Sequence, residues 1–308
     1  MLWLYISLVV LLFLVLIISI IFTLMLVCNY FYPKRYTYEY AKKRMKELNG
    51  YFDFDKLDKT DYIIKLKSGY ELNARLIPSN KNTNKYVIIL HGITANQEYD
   101  SKYVYPFIEN GYNCITFDER GHGRNKKTKV TMGIKESIDL LEVVDDTYKR
   151  YGEDIFLGLQ GESMGGGIVT YTLRYKPNIK FAIMDCPFES VKYTTEYVMK
   201  NRYHLPKWCG IYGNFLTSIF MGYNLYKIDV KENMNNSTIP IAIFDGDNDE
   251  LVPVQASKNI YDSYNSYKEL HYYKGSLHAR SILDHKEEYI KDLSNFLKHI
   301  EEMSETQV

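Results

Sequence analysis

From Leu2 to Val27 the chain carries no charged residue, and nearly every position is apolar. At helical rise this run is roughly 39 Å long, enough to cross a hydrocarbon core of about 30 Å with some tilt. Downstream the pattern changes. Tyr62–Lys67 and Glu71–Ile77 alternate apolar and polar residues around Ser68-Gly69, which predicts an opening β-hairpin. Short unbroken apolar runs follow at Tyr86–Leu90, Tyr112–Phe117, Ile155–Leu159, Phe181–Met184, Ile239–Phe244 and Leu270–Tyr273. Helical periodicity separates several of them, at Ile134–Tyr151, Met164–Tyr175 and Val254–Tyr264, and Lys286–Ile300 reads as a closing amphipathic helix. Strands without polar alternation, joined by helices, predict a mostly parallel sheet covered on both faces, an α/β fold.

One stretch breaks the alternation. Between Pro187 and Asn236 about fifty residues pass without a clear strand but with many aromatic residues, including Tyr193, Tyr197, Trp208, Phe215 and Phe220. A helical insertion is expected there, read as a lid over a pocket or as a small packed unit of its own. The division that follows is an anchor at 1–32, a linker helix at 33–60, and an α/β domain at 61–303 that includes a helical lid insertion at 187–236.

The apolar leader does not suit a cleaved signal peptide. It lacks a basic n-region, is too long, and is not followed by an A-x-A-like site. A permanent single-pass anchor through residues 2–27 is expected, bracketed by Trp3 and Tyr5 at one end and Tyr30, Phe31 and Tyr32 at the other. Lys34, Arg35, Lys42, Lys43, Arg44 and Lys46 all follow the span, so the positive-inside bias favours a cytoplasmic position for the domain that follows.

Composition narrows the picture further. The 308 residues are 46% hydrophobic with a formal net charge of zero, which gives no electrostatic reason for a nucleic-acid partner. Cys28, Cys114, Cys186 and Cys209 form no CxxC pair and no zinc spacing, so buried reduced thiols are expected and neither a metal nor another cofactor. Asp245-Gly246-Asp247-Asn248-Asp249 superficially resembles a calcium loop. Its sixth and twelfth positions would be Glu250 and Ala256, where Gly and Glu are required.

Gly161-Glu162-Ser163-Met164-Gly165 lies between a predicted strand and a predicted helix. That is the setting of a nucleophile elbow, a strained turn that holds a serine hydroxyl above the end of a sheet. Ser163 is therefore the candidate nucleophile. His278, just after the last strand and before the final helix, is the best-placed base. The acid should come from Asp245, Asp247 or Asp249, past the preceding strand, and Asp249 is preferred because it leads into the turn before the next helix. The order Ser, acid, His is kept. Oxyanion donors are expected from the backbone of Met164, after the nucleophile, and of Ile93, in the loop His91-Gly92-Ile93. His91, and the turn Asp118–Gly123 with His122, read as scaffold.

Taken together, His91-Gly92, Asp118–Gly123, Gly161–Gly165, Asp249 with Val252-Pro253, and His278 make the chain resemble the α/β-hydrolases. It looks most like membrane-tethered bacterial members and more distantly is similar to monoglyceride lipases and serine aminopeptidases. The resemblance implies Ser163 as nucleophile, Asp249 as acid, His278 as base, and Ile93 and Met164 as oxyanion donors. An aromatic lid on a domain held near lipid favours a small or lipid-like acyl substrate, the alternatives being a peptidase or amidase with the same triad and a non-catalytic binding module on the same fold. One departure is Asn125, where the family's turn usually ends in serine; it touches scaffold only.

Overall fold

The computed structural model describes residues 1–230, 234 and 236–306. Residues 231–233 and 235, within the expected insertion, lie outside the described residues, as do the side chains at 22, 24, 26, 27, 29 and 30, including the expected aromatic bracket at Tyr30.

Helix α1 (Leu2–Phe31) contains the apolar run, and its Leu2–Ile21 stretch is long and apolar enough to cross a membrane. Helix α2 (Tyr38–Glu47) follows, started by Thr37, whose side chain accepts the Tyr40 N–H. It buries Ala41 and Met45. The chain before it is fastened to the domain, because Tyr36 N–H donates to Thr94 O at 2.8 Å and Arg35 donates to Thr128 O at 2.8 Å.

The predicted hairpin is β1 (Thr60–Lys65) and β2 (Glu71–Ile77), paired antiparallel. Then come β3 (Lys85–Leu90), α3 (Ser101–Glu109), β4 (Asn113–Phe117), α4 (Glu136–Tyr151), β5 (Phe156–Glu162), α5 (Met164–Thr172) and β6 (Phe181–Asp185). The insertion supplies α6 (Val191–Asn201) and α7 (Lys207–Met221). The domain closes with β7 (Ile241–Gly246), α8 (Gln255–Ser263), β8 (Lys268–Tyr273), a short α9 (Ser281–Asp284) and α10 (Lys286–Thr306). Helix α3 has no counterpart in the sequence reading. Its interior Pro106 and its burial of Lys102 break the helical signature.

The eight strands form one sheet in the order β1-β2-β4-β3-β5-β6-β7-β8. The pairs β1–β2 and β2–β4 are antiparallel, and every later pair is parallel. Successive strand residues point to opposite faces. In β3, Ile88 and Leu90 therefore join a core with Leu140 and Val143 of α4 and Ile168 of α5. Val87 and Ile89 join a second core with Val104 and Phe107 of α3 and Phe296 of α10. Both faces being covered explains why the central strands lack polar alternation. The parallel strands all run toward one edge, where β3, β5, β7 and β8 each release a loop that carries a candidate site residue.

Candidate active site

Ser163 sits between β5 and α5 with φ 53° and ψ −109°, a left-handed conformation unusual for a residue with a Cβ. The sharp turn depends on close backbone approach at the flanking glycines. A Cβ on Gly161 would come within 2.4 Å of the Gly165 backbone, and one on Gly165 within 2.5 Å of Leu90 O. The turn is tied to the neighbouring strand by Ser163 N–H donating to Asp185 O at 2.8 Å.

The structure brings the three candidate side chains together across loops far apart in sequence. Ser163 Oγ donates to His278 Nε2 at 2.8 Å, and His278 Nδ1 donates to Asp249 Oδ2 at 2.5 Å. The other Asp249 oxygen accepts the N–H groups of Leu251 and Val252 at 2.8 and 2.9 Å, which fixes the carboxylate's direction. Burial disfavours the charged imidazole, but the hydrogen bond and charge of Asp249, with help from Glu162 and Asp245, outweigh it. His278 therefore titrates above the ordinary histidine value of 6.5. The two rival acids are engaged elsewhere: Asp245 accepts from Ser257 Oγ at 2.6 Å, and Asp247 accepts from Gly275 N–H at 2.5 Å.

The loop after β3 passes beside the serine, since a Cβ on Gly92 would lie 3.6 Å from Ser163 Cβ. Neither the Ile93 nor the Met164 N–H has a hydrogen-bond partner among the described residues. Two free backbone donors beside a nucleophile are what a developing oxyanion requires.

His91 and His122 brace this loop. His91 Nε2 accepts the Glu119 N–H at 2.9 Å, and His122 Nε2 lies 2.6 Å from Ile93 O. Burial lowers both rings, to about 4 and about 3, so at neutral pH both are uncharged. The Asp118–Gly123 turn is held from several sides: Asp118 accepts Tyr38 O–H, Gln97 N–H and Arg124 N–H, and Arg120 makes two bonds of 2.7 and 2.6 Å to Asp139. Asn125 donates to Asp118 O and Glu119 O, as part of the same scaffold.

Two features of the site left no signal in the sequence. Cys186, just past β6, places its Sγ 4.0 Å from His278 Nε2. Its ligand atom, with those of Asp249 and His278, falls within 4.8 Å of the others. Both ring nitrogens of His278 are committed, to Asp249 and Ser163, so this grouping offers no free imidazole to a metal.

The second feature is a buried charge cluster beneath the elbow. Lys102 of α3 pairs with Glu162, the residue before Ser163, and donates at 3.0 Å to the carbonyl of Ala279, the residue after His278. The Tyr103 hydroxyl lies between Glu162 and Asp185, at 2.8 and 2.9 Å, and Tyr289 donates to Asp185 at 2.9 Å. One lysine thus links the turn at Ser163 to the loop at His278. Its members come from five separate segments, so no local spacing could have announced them.

Comparison with known proteins identifies the family and the fold. A family model described as serine aminopeptidase, S33, matches residues 81–219 and 211–282. An uncharacterized Bacillus subtilis protein, YqkD, is 25% identical over 82% of this chain and 83% of its own length. A Danio rerio lysophosphatidylserine lipase is 27% identical over 64% of this chain and 51% of its own. Among solved structures, the Pyrococcus furiosus esterase Pf2001 matches with a TM-score of 0.65 and 26% identity, covering 83% of this chain and 93% of that one. Est1E from Butyrivibrio proteoclasticus shares the fold at a TM-score of 0.60, with 21% identity over 78% of this chain and 98% of its own.

Proposed function

Because the chain belongs to the serine aminopeptidase S33 family of α/β-hydrolases, we propose that it is a membrane-anchored serine hydrolase that cleaves carboxylic esters through an acyl-enzyme on Ser163. The observation that carries the reading is the continuous hydrogen-bonded line from Ser163 through His278 to Asp249, at 2.8 and 2.5 Å.

In the first step His278 Nε2 takes the Ser163 proton as Oγ bonds to the carbonyl carbon. The carbonyl oxygen becomes an oxyanion held by the N–H groups of Ile93 and Met164. Collapse breaks the bond to the leaving alcohol, which receives the proton from His278. Water then attacks the acyl-enzyme by the same route, releasing the acid and restoring Ser163. Asp249 keeps the imidazole in the tautomer that accepts at Nε2 and stabilises its cation.

Ester chemistry is favoured by likeness to an esterase and to a lysophosphatidylserine lipase. The family description instead points to amides. Fluorophosphonate labelling tests the nucleophile: the wild type should label and Ser163→Ala should not, whereas equal labelling of the two defeats the hydrolase reading. A panel of p-nitrophenyl esters and aminoacyl amides then decides the substrate, and preference for the amides overturns the esterase assignment. The tether is proposed to be α1, with the domain on the cytoplasmic side because the basic residues follow the span. A Lys67→Cys variant, at an exposed site, should resist a membrane-impermeant maleimide in intact cells.

A further inference from the structure

Helix α7 turns apolar side chains outward. Trp208, Ile211, Phe215 and Ile219 are 63%, 56%, 58% and 58% exposed, and their spacing of three or four residues places them on one face. The opposite face buries Gly210 and Thr217 against the domain. Scattered exposed apolar residues are ordinary, but a continuous stripe marks a surface that meets something other than water.

The location of α7 identifies what it meets. It packs on α1 near the end of the apolar Leu2–Ile21 stretch, where a Cβ on Gly213 would lie 3.7 Å from Thr23 Cγ2. If that stretch fills the hydrocarbon core, residues 19–23 lie where the bilayer passes into headgroups, and α7 lies at that same depth. Lys207 is the only charged residue in α7, and exposed Lys200 and Arg202 precede it, which suits an interfacial helix with cations at headgroup level. Between α1, α6 and α7 is a cavity of about 190 Å³, lined by Ser19, Thr23, Val191, Met199, Trp208 and Thr217 among others. Val191 in its wall belongs to the same buried cluster as Met164, next to the nucleophile.

We propose that α7 lies in the membrane interface with its apolar stripe in the hydrocarbon, and that the cavity it forms with α1 takes up a hydrocarbon chain of a bilayer lipid. The insertion is then a platform through which an acyl substrate arrives sideways from the membrane. The seating of α7 rests on α1 being a span, while the arrival of an acyl substrate rests also on the hydrolase reading of Ser163.

The chain has two tryptophans, so Trp3→Phe leaves Trp208 as the sole reporter. The full-length variant is placed in phosphatidylcholine nanodiscs containing lipid with a doxyl group at a shallow or a deep position. Trp208 should emit to the blue, be quenched most by the shallow doxyl group, and resist aqueous acrylamide, at a depth of about 5–10 Å into the headgroup–acyl boundary. An anchored chain whose Trp208 is quenched by acrylamide and spared by doxyl lipid overturns the proposal while leaving the tether and Ser163 untouched. Extraction of the wild type from membranes by alkaline carbonate overturns the tether and this proposal with it.

A second variant, Phe215→Gln with Ile219→Gln, alters only outward-facing residues. It should raise KM for a vesicle-borne ester roughly tenfold, an effect equivalent to about 1.4 kcal/mol of lost binding, and leave hydrolysis of a soluble short-chain ester unchanged. Equal effects on both substrates count against the platform.

Discussion

Replacing Lys102 with methionine removes the cation that the structure encloses beneath the active site while roughly preserving side-chain volume. The Lys102 side chain is 0% exposed and that of its partner Glu162 is 4% exposed, and the lysine also donates to Ala279 O. Burial disfavours the ammonium, yet the charge and hydrogen bond of Glu162, together with Tyr99 and Asp185, outweigh it and raise its pKa. Losing one member of so fully desolvated a pair costs about 3–5 kcal/mol, because the other charge stays buried and unpaired. Against a total stability of about 5–15 kcal/mol this is a large share.

The loss should also depend on pH. Asp185, in the same cluster, is pushed up to about 6 by burial and the charge of Glu162, with Lys102 opposing. Without the lysine its pKa rises further, so the folded state holds a proton that the unfolded state releases. Stability then falls as pH rises, and the deficit of Lys102→Met is greatest above neutrality and shrinks on acidification. Urea unfolding of the full chain in detergent micelles, followed by near-ultraviolet circular dichroism of the buried tyrosines, measures both effects. Adding Glu162→Gln to Lys102→Met should recover about 1–3 kcal/mol. A loss below about 1 kcal/mol at about pH 8, or the same loss at about pH 5.5, refutes the reasoning.

Four further outcomes follow from the site and its supports. The acid limb of kcat/KM should lie above pH 6.5, since His278 is raised above that value and must be neutral to accept the serine proton. Asp249→Asn should lower kcat by about 10⁴-fold and move the limb to lower pH, and an unmoved limb argues against Asp249 as the orienting group. Gly165→Ala would set a methyl 2.5 Å from Leu90 O, so thermal denaturation should show a loss of about 3 kcal/mol or more, as expected for overpacking in a rigid turn. Tyr38→Phe deletes a phenol that donates to Asp118 at 2.5 Å and accepts from Gln97 at 2.7 Å, and urea titration should show about 1–2 kcal/mol lost.

The local chain chemistry of this protein is written in its sequence. The apolar run that becomes α1, the hairpin around Ser68-Gly69, the apolar strands and the Gly161–Gly165 elbow all depend on neighbours within a few positions, and such interactions leave periodic or motif signals. Chain order was enough to rank His278 above the other histidines and to confine the acid to three aspartates. Among the three, Asp249 is preferred for its place before the next turn, and only the packed sheet supplies the physical ground: Asp249 bonds to His278, while Ser257 and Gly275 hold the other two. Lys102, Glu162, Asp185 and Tyr289 meet under the elbow although up to 187 positions separate them, counted from 102 to 289. Burial makes those charges consequential, and burial is a property of the packed chain. The same holds for α7, whose aromatic residues read equally well as a small core or an exposed lid until packing showed which of its faces the domain leaves open.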